Sequence, residues 1–249
     1  MSAATGAITA APVLEGSGRL RLLTVFVLYA AQGLPISMQT LRTSFSPMSL
    51  AWLPVIIVVG LSYGVYLVAL PLIASGHAGW TEARVGSLNG TAQLIAGIAA
   101  IVVGGVAVAK IGAQHSMQYG FVAFIALLGW LVANEADWSY PRTVTIFGFG
   151  WLLLYALVGI GQVVIIMRMC PPDIDATQFS VFMSFSNFGI TLAGLLIGSI
   201  AALAGPRGML LLLIAAHVVA LAILCLVRFP TRGVSGHGFC RTPLPMTAT

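Results

Sequence analysis

Charge is the scarcest property of this sequence. Only 7% of its 249 residues are Asp, Glu, Lys or Arg, and only six of these are acidic. A soluble domain of ordinary composition carries about 25% charged residues, so a globule of that kind is excluded. The hydrophobic share of 59% and a strongly positive mean hydropathy indicate an integral membrane protein instead.

Sequence signals for catalysis and for metal or cofactor binding are missing as well. Cys170, Cys225 and Cys240 have no metal-like or CxxC spacing, so we interpret them as incidental thiols. The sequence has no P-loop, zinc motif or nucleophile elbow. We therefore expect a protein that is not an enzyme and that holds no metal and no cofactor.

Basic residues outnumber acidic ones, 11 to 6. They lie almost wholly between the apolar runs or near the ends of the chain. This placement is typical of membrane topology signals. We therefore expect the lipid bilayer as a partner and no nucleic acid.

Long apolar runs dominate what the sequence does contain. About 20 apolar residues cross a bilayer as a helix, and seven runs reach that length. They cover residues 20–40, 50–75, 84–110, 115–134, 143–167, 177–204 and 207–228. A membrane-barrel strand needs only about 10 residues. The sequence thus predicts an all-α integral membrane protein, a helical bundle of about seven spans.

The runs divide the chain into four parts. We expect a disordered tail at 1–18, a first hydrophobic helix with its loop at 19–48, a six-helix membrane half-bundle at 49–229 and a cytoplasmic C-terminal tail at 230–249. The first run follows two arginines, as in a signal peptide, but no small-x-small cleavage site comes after it. We interpret that run as a retained span.

The positions of Lys and Arg predict the orientation of the bundle. From the second run onward, one set of loops holds Arg42, Lys110, Arg168, Arg228, Arg232 and Arg241, and the other holds Arg84, Arg142 and Arg207. The positive-inside rule places the larger set and the C-terminus in the cytoplasm.

The first run conflicts with this orientation. Arg19 and Arg21 favour a cytoplasmic N-terminus too, and an odd number of spans cannot place both termini on one side. Either the run crosses against its charge preference, or it fails to cross because Gly33-Leu34-Pro35 breaks the helix.

Three segments resemble one transporter family. Residues 168–189 resemble the eleventh helix of muropeptide permeases, which belong to the peptide, acetyl-coenzyme A and drug transporter branch of the major facilitator superfamily. The resemblance lies in the lead Met-Arg-Met-Cys-Pro-Pro, in Ala176-Thr177-Gln178-Phe179 and in Met183, Asn187 and Gly189. Residues 28–35, Leu-Tyr-Ala-Ala-Gln-Gly-Leu-Pro, resemble the first helix of that branch and of siderophore permeases. Residues 105–112 resemble the superfamily's loop motif Gly-x-x-x-Asp-Arg/Lys-x-Gly, with Ala109 in the Asp position.

The resemblance implies a shortened permease. The first run corresponds to helix one and the other six to helices seven to twelve, so counterparts of helices two to six are missing. A complete member moves its solute by proton-coupled alternating access between two six-helix halves of the bacterial inner membrane. We expect a permease for muropeptide-like or related small polar solutes, with siderophores and acetyl-coenzyme A derivatives as other substrates. A homodimer would rebuild two facing halves; the alternative is a non-transporting remnant.

Polar residues inside the runs are the candidates for a substrate path, because a polar group in a bilayer is costly unless it faces a cavity or another helix. The candidates are Gln32, Asn89, Gln93, Gln162, Gln178 and Asn187. Asn89 and Gln93 are four residues apart and share a helical face. Asn187 falls near mid-membrane at about 1.5 Å per residue. Hydrogen bonding between helices is the alternative role for these side chains.

Aromatic and glycine residues in the runs have two interpretations too. Tyr63 and Tyr66 would stack on or hydrogen-bond a sugar or peptide, or else pack as buried aromatics. Glycines spaced by four residues predict close helix approach. These pairs are Gly60 with Gly64, Gly86 with Gly90, and Gly194 with Gly198.

Titratable groups complete the predicted site. Lys110, Arg168, Asp173 and Asp175 lie in loops, where they form either a cluster that locks a gate or a solvated surface. None of the six acidic residues lies within a run. His217 is therefore the candidate proton site, with simple packing as the alternative.

Overall fold

The structure is a computed structural model that describes residues 46–170 and 175–229, and every regular element in these ranges is helical. The helices are α1 (Pro47–Gly76), α2 (Glu82–Ala99), α3 (Gly105–Ile111), α4 (Ala113–Ala133), α5 (Pro141–Met169) and α6 (Asp175–Leu226). A π-helical turn, Ala100–Gly104, joins α2 to α3, and a 3-10 helix, Glu135–Ser139, precedes α5. The first apolar run, the N-terminal tail and the C-terminal tail lie outside the described residues.

Five helical stretches in the described ranges are long and apolar enough to cross a membrane. They are Pro47–Gly76, Glu82–Ile111, Ala113–Ala133, Pro141–Met169 and Ala176–Leu226. The prediction of an all-α architecture with several membrane-length helices is confirmed. The described helices have the length and composition expected of a helical membrane protein.

Local sequence signals set where these helices begin. Ser46 caps α1, since its Oγ accepts a hydrogen bond from the backbone N–H of Ser49 at 3.2 Å. Thr81 caps α2 in the same way. Both α1 and α5 have proline in the first turn, where the missing N–H costs nothing.

The last helix, α6, doubles back on itself. It has 52 residues, and a straight helix of that length would be about 78 Å long, more than twice the roughly 30 Å hydrocarbon core. Gly205 interrupts it with φ 66° and ψ −177°, a left-handed conformation that glycine adopts without steric cost. The two arms, 175–204 and 206–226, match the last two predicted runs.

Contacts with α1 define the directions of these arms. In the first arm, Ser186 lies over Gly60 and Ala193 over Gly64, so this arm runs parallel to α1. The second arm pairs in the opposite order, Ser62 with His217 and Trp52 with Phe229. The chain therefore reverses at Gly205.

The turns gather at two ends of the bundle. Arg207, just after the reversal, forms a 3.0 Å ion pair with Glu135, and the His77 ring meets the Trp138 ring edge-on at 5.3 Å. We call this the Gly205 end. The opposite end, which we call the Gly112 end, holds the start of α1, the turn at Gly112 and the last residues of α5 and α6.

Charged residues in the described ranges lie only at these two ends. Glu82, Arg84, Glu135, Asp137, Arg142 and Arg207 are at the Gly205 end, and Lys110, Arg168, Asp175 and Arg228 are at the Gly112 end. The middle of each described membrane-length helix, with the two arms of α6 taken separately, is thus free of Asp, Glu, Lys and Arg. This distribution suits helices that cross hydrocarbon.

The tightest packing lies between α1 and the first arm of α6. A Cβ added to Gly60 would collide with the backbone carbonyl of Ser186, and one added to Gly189 would collide with the carbonyl of Ile57. The two backbones approach this closely because neither glycine has a side chain. The crossing therefore depends on glycine at both positions.

Hydrogen bonds from a glutamine of α4 hold the end of α6 in place at the Gly112 end. The Nε2 of Gln114, on α4, donates to the carbonyls of Leu224 and Val227 at 2.7 and 2.8 Å. Its Oε1 accepts from the backbone N–H of Phe229 at 3.0 Å. The last carbonyls of a helix have no partner within the helix, so Gln114 supplies what α6 itself cannot.

Candidate functional site

Aromatic and amide side chains from three helices meet near the middle of the bundle. The hydroxyl of Tyr66, on α1, donates to Oδ1 of Asn89, on α2, at 3.0 Å. The Nε2 of Gln93 donates to the same oxygen at 3.3 Å. The ring of Tyr63 stacks on Tyr155, on α5, with 5.0 Å between centroids and 25° between planes. We call these five residues the tyrosine–amide cluster.

The cluster lies well inside the apolar length of its helices. Asn89 is seven residues after Glu82, the start of α2, and Tyr155 is fourteen after Pro141, the start of α5. These separations correspond to about 10 and about 21 Å of helix. A hydrocarbon core about 30 Å thick that began at these two helix starts would hold the cluster in its central part.

Helical spacing and aromatic packing together hold the cluster in place. Asn89 and Gln93 share one face of α2, as their four-residue spacing requires. The buried ring of Tyr66 packs against Trp151 and Phe147 of α5, with centroid distances of 5.7 and 6.1 Å. This packing leaves the Tyr66 hydroxyl directed at α2.

Several hydrogen-bonding groups of the cluster have no partner in the described part of the chain. These are the hydroxyls of Tyr63 and Tyr155 and the Nδ2 of Asn89. Tyr63 and Tyr155 are half-buried, and Gln93 is exposed on the bundle surface. The cluster thus presents phenol and amide groups, which both donate and accept hydrogen bonds, toward its accessible side.

Beside the cluster, α2 has an unoccupied face. Gly86, Gly90 and Gly97 lie on the same side of the helix as Gln93, and no atom of the described protein lies within 4 Å of where a Cβ would stand on any of them. We call these four residues the open face of α2. It gives another helix room to approach the cluster.

The other predicted path residues are dispersed. Gln162 is buried in α5, and Gln178 is buried in the first arm of α6, where its Oε1 has no hydrogen-bond partner among the described residues. Asn187 is exposed on the same arm. No hydrogen bond within the described ranges joins these three to the tyrosine–amide cluster, and Gln32 lies outside those ranges.

The predicted gate charges are described only in part. Lys110 is exposed in the last turn of α3, and Arg168 lies in the last turn of α5. Asp175 begins α6, while Asp173 lies outside the described residues. The structure places the described members at the Gly112 end, away from the cluster.

His217 is held within the scaffold of the bundle. Its Nδ1 donates to the carbonyl of Leu213 at 2.8 Å, and its Nε2 lies 3.0 Å from the Oγ of Ser62. The Ser62 Oγ also donates to the Val58 carbonyl on its own helix at 2.7 Å, and its contact with the His217 ring joins α1 to α6, with the donor set by the protonation of the ring. The rings of Phe121 and Phe124 cover the imidazole at 5.3 and 5.0 Å. This environment suits a residue that joins helices.

Sequence reasoning missed two partners in these contacts, Tyr155 and Ser62. A lone tyrosine in an apolar helix gives no indication of which neighbour its ring will meet. Ser62 did carry a signal, because it is a polar residue within an apolar run, four positions before Tyr66 and hence on its side of α1.

Metal-binding side chains do not cluster in the described ranges, where no three His, Cys, Asp or Glu residues come together.

Comparison of the chain with protein-family models gave no match, and comparison with curated proteins gave none. A functional assignment therefore depends on the residues and geometry of the chain itself.

Proposed function

We propose that this chain is a half-bundle of a membrane permease of the major facilitator type, similar to muropeptide permeases, and that small polar solutes pass along the tyrosine–amide cluster. The observation that carries the proposal is the cluster's position. Hydrogen-bonding groups lie in the central part of a bundle whose described charges are all at its ends. Transporters of this kind bind their solutes near the bilayer midplane.

The path of the chain supports this architecture. Between Pro47 and Leu226 the helices pass through the bundle six times, counting the two arms of α6, and both ends of this stretch lie at the Gly112 end. Six passes with both ends together correspond to one half of a twelve-helix transporter. Residues 20–40 would add a seventh span, corresponding to helix one of the family.

Charge distribution supports an orientation in the bacterial inner membrane. Arg42, Arg232 and Arg241 adjoin the Gly112 end in sequence and add to its basic residues, whereas Glu82, Glu135 and Asp137 lie at the Gly205 end. By the positive-inside rule, the Gly112 end and the C-terminus face the cytoplasm.

Alternating access requires a second half facing the first. In this proposal a second copy of the chain supplies it, with the open face of α2 turned toward the partner. Gly86, Gly90 and Gly97 permit close helix approach. For proton coupling, as in the complete family, His217 is the candidate group; its ring contacts Ser62 and Leu213, and simple packing is the alternative role.

Uptake measurements test the proposal. Cells that lack their own permease are given labelled anhydro-muropeptide, and the chain is expressed at a measured level in their inner membrane. We expect uptake above that of cells without the protein, and its loss on replacing Asn89 and Gln93 together by leucine. Thr91→Val, on the same helix but another face, is the matched control. An absence of uptake by well-inserted protein, with ferric siderophore as a second solute, would overturn the proposal.

A second candidate function is a non-transporting membrane remnant. It is favoured by the lack of any Asp or Glu in the middle of the described spans, because proton-coupled transport normally needs a carboxylate or histidine there. Crosslinking separates the two candidates. A Gly90→Cys variant with the native cysteines replaced by serine should crosslink to a second copy in native membranes if two halves face each other. A monomer that neither crosslinks nor transports is the remnant.

A further inference from the structure

We propose that the Gly205 end binds the headgroup of a phospholipid that carries a primary ammonium beside its phosphate, as phosphatidylethanolamine does. The groups that form the site are two arginines stacked on aromatic rings and two carboxylates at the same end of the bundle. The partner is the lipid around the chain, so the site is independent of the proposed transport.

Each of the two arginines lies over an aromatic ring. The guanidinium carbon of Arg84 is 4.0 Å from the centre of the Trp80 ring, and that of Arg142 is 5.2 Å from the centre of the Tyr140 ring. A guanidinium stacked on a ring keeps N–H donors at its edge, where they bind phosphate oxygens in pairs. Both arginines are exposed, and neither pairs with a carboxylate in the described ranges. Each stack thus presents a pre-oriented phosphate-binding group at the surface.

The two arginines lie on neighbouring helices, in the first turn of each. The side chain of Leu88, on α2, packs over Gly148, on α5. These two residues are six and seven positions after the starts of their helices, so the two starts lie at a similar level. Because Arg84 is four residues before Leu88, it lies on the side of α2 that faces α5. The two stacked guanidiniums therefore belong to one region of the surface.

Aromatic residues place this region at the depth of lipid headgroups. Trp80, Trp138 and Tyr140 all lie in the turns of the Gly205 end. Trp and Tyr are enriched where a membrane meets water, because each combines an apolar ring with a polar tip. The arginines that stack on two of these rings thus lie where lipid phosphates lie.

The charges at this end match both signs of a zwitterionic headgroup. Arg207 is already paired with Glu135 at 3.0 Å. The carboxylates of Glu82 and Asp137 have no ion pair among the described residues, so two positive and two negative groups remain. An anionic headgroup would satisfy the arginines but bring its charge toward the carboxylates. A primary ammonium satisfies the carboxylates and donates three hydrogen bonds, whereas a choline group donates none.

Native mass spectrometry of the full chain tests the lipid preference. The chain is released from detergent micelles that contain equal amounts of phosphatidylethanolamine, phosphatidylglycerol and phosphatidylcholine with the same acyl chains, and the bound lipids are identified by mass. We expect phosphatidylethanolamine to be enriched about 5-fold over each of the others. Soluble phosphoethanolamine at the same concentration should not displace it, because the acyl chains hold the headgroup at this end.

Paired substitutions test the location. Arg84→Gln with Arg142→Gln should reduce the enrichment to less than about 2-fold, since both phosphate-binding groups are lost. Glu82→Gln with Asp137→Asn should lower the share of phosphatidylethanolamine and raise that of phosphatidylglycerol. Arg207→Gln is the matched control, because it removes an arginine of the same end that already has a partner, and it should leave the lipid ratio unchanged.

Four outcomes would overturn the inference. They are equal binding of the three lipids, an unchanged ratio in either paired variant, an equal loss of enrichment in Arg207→Gln, and displacement by soluble phosphoethanolamine. Circular dichroism checks that each variant is folded. If the arginine pair cannot be replaced, Arg84→Lys keeps the charge and loses the planar stack, and the enrichment should still fall about 2-fold.

Discussion

The glycines of α1 and those of α2 have the same four-residue spacing and opposite surroundings. At Gly60 and Gly64 an added Cβ would strike the first arm of α6, whereas at Gly86 and Gly90 it would meet nothing within 4 Å. Over the most apolar 18 residues of each span, 56% of the α1 window is buried, against 17% for the span that contains α2. One set of glycines is used within the chain, and the other is not.

The difference shows that close-approach spacing does not identify the partner. The α1–α6 crossing belongs to the stability of the half-bundle itself. The open face of α2 carries Gln93 and borders the tyrosine–amide cluster, so its glycines contribute little to folding. The comparison therefore separates residues that maintain the fold from residues available for function.

Glycine-to-alanine substitutions in α1 and in α2 should give the largest difference in unfolding free energy. Gly60→Ala forces a methyl group against the Ser186 carbonyl, and we expect a loss of about 3 kcal/mol in unfolding free energy, or no folded protein. Gly90→Ala should be neutral or stabilising by up to about 1 kcal/mol, since alanine is the better helix former. Denaturant titration in detergent measures both, and similar losses at the two sites would refute the comparison.

Replacing two glutamines by leucine should give the next largest difference in unfolding free energy. Gln114→Leu removes three hydrogen bonds that close the Gly112 end, and should cost about 2 kcal/mol because the Val227 carbonyl and the Phe229 N–H lose their partner. The Leu224 carbonyl still accepts from Nε2 of Gln118 at 2.8 Å. Gln93→Leu loses one bond of 3.3 Å at the surface and should change unfolding free energy by less than about 0.5 kcal/mol. A larger loss from Gln93→Leu would show that α2 is part of the stable core.

A double-mutant cycle measures the strength of one side-chain contact between α1 and α6. Ser62→Ala and His217→Phe should show a coupling of about 0.6–1.7 kcal/mol, the range for hydrogen bonds between membrane helices. Ser62→Ala combined with Gln93→Leu should be additive, since these residues share no contact. Zero coupling between Ser62 and His217 would mean that the Leu213 carbonyl and aromatic packing position the imidazole without Ser62.

The smallest effect is expected at the surface of the Gly205 end. Arg207 and Glu135 pair at 3.0 Å with side chains 58% and 44% exposed, so Arg207→Gln should cost less than about 1 kcal/mol. Added salt should shrink that cost, because exposed pairs are screened. A cost that persists at high salt would indicate a structural role for the reversal beyond the ion pair.

Helix positions were largely predictable, because bilayer-length apolar runs and helix-starting prolines are local signals. The run at 143–167 corresponds to α5, Pro141–Met169, and the gap between 204 and 207 marks the break at Gly205. What each helix touches was not predictable. Gly60 and Gly90 look alike in sequence, and only the path of α6 distinguishes them.

The contacts of the candidate site were likewise predictable only in part. Asn89 and Gln93 share a face because of their spacing, which the sequence contains. Tyr155 joins them only because α5 packs against α1 and α2, and Ser62 meets His217 across 155 positions of sequence. Such long-range pairings depend on tertiary packing, which no local pattern in a single sequence encodes.

The reversal at Gly205 also has a consequence for biogenesis. With one glycine between the arms and Pro206 directly after it, no linker exists that would let the first arm settle in the bilayer while the second waits outside. In the proposed orientation we expect the two arms to enter the lipid together as a hairpin, with Arg207 as the charge carried across. Lengthening this turn would uncouple their insertion before it altered any contact in the finished bundle.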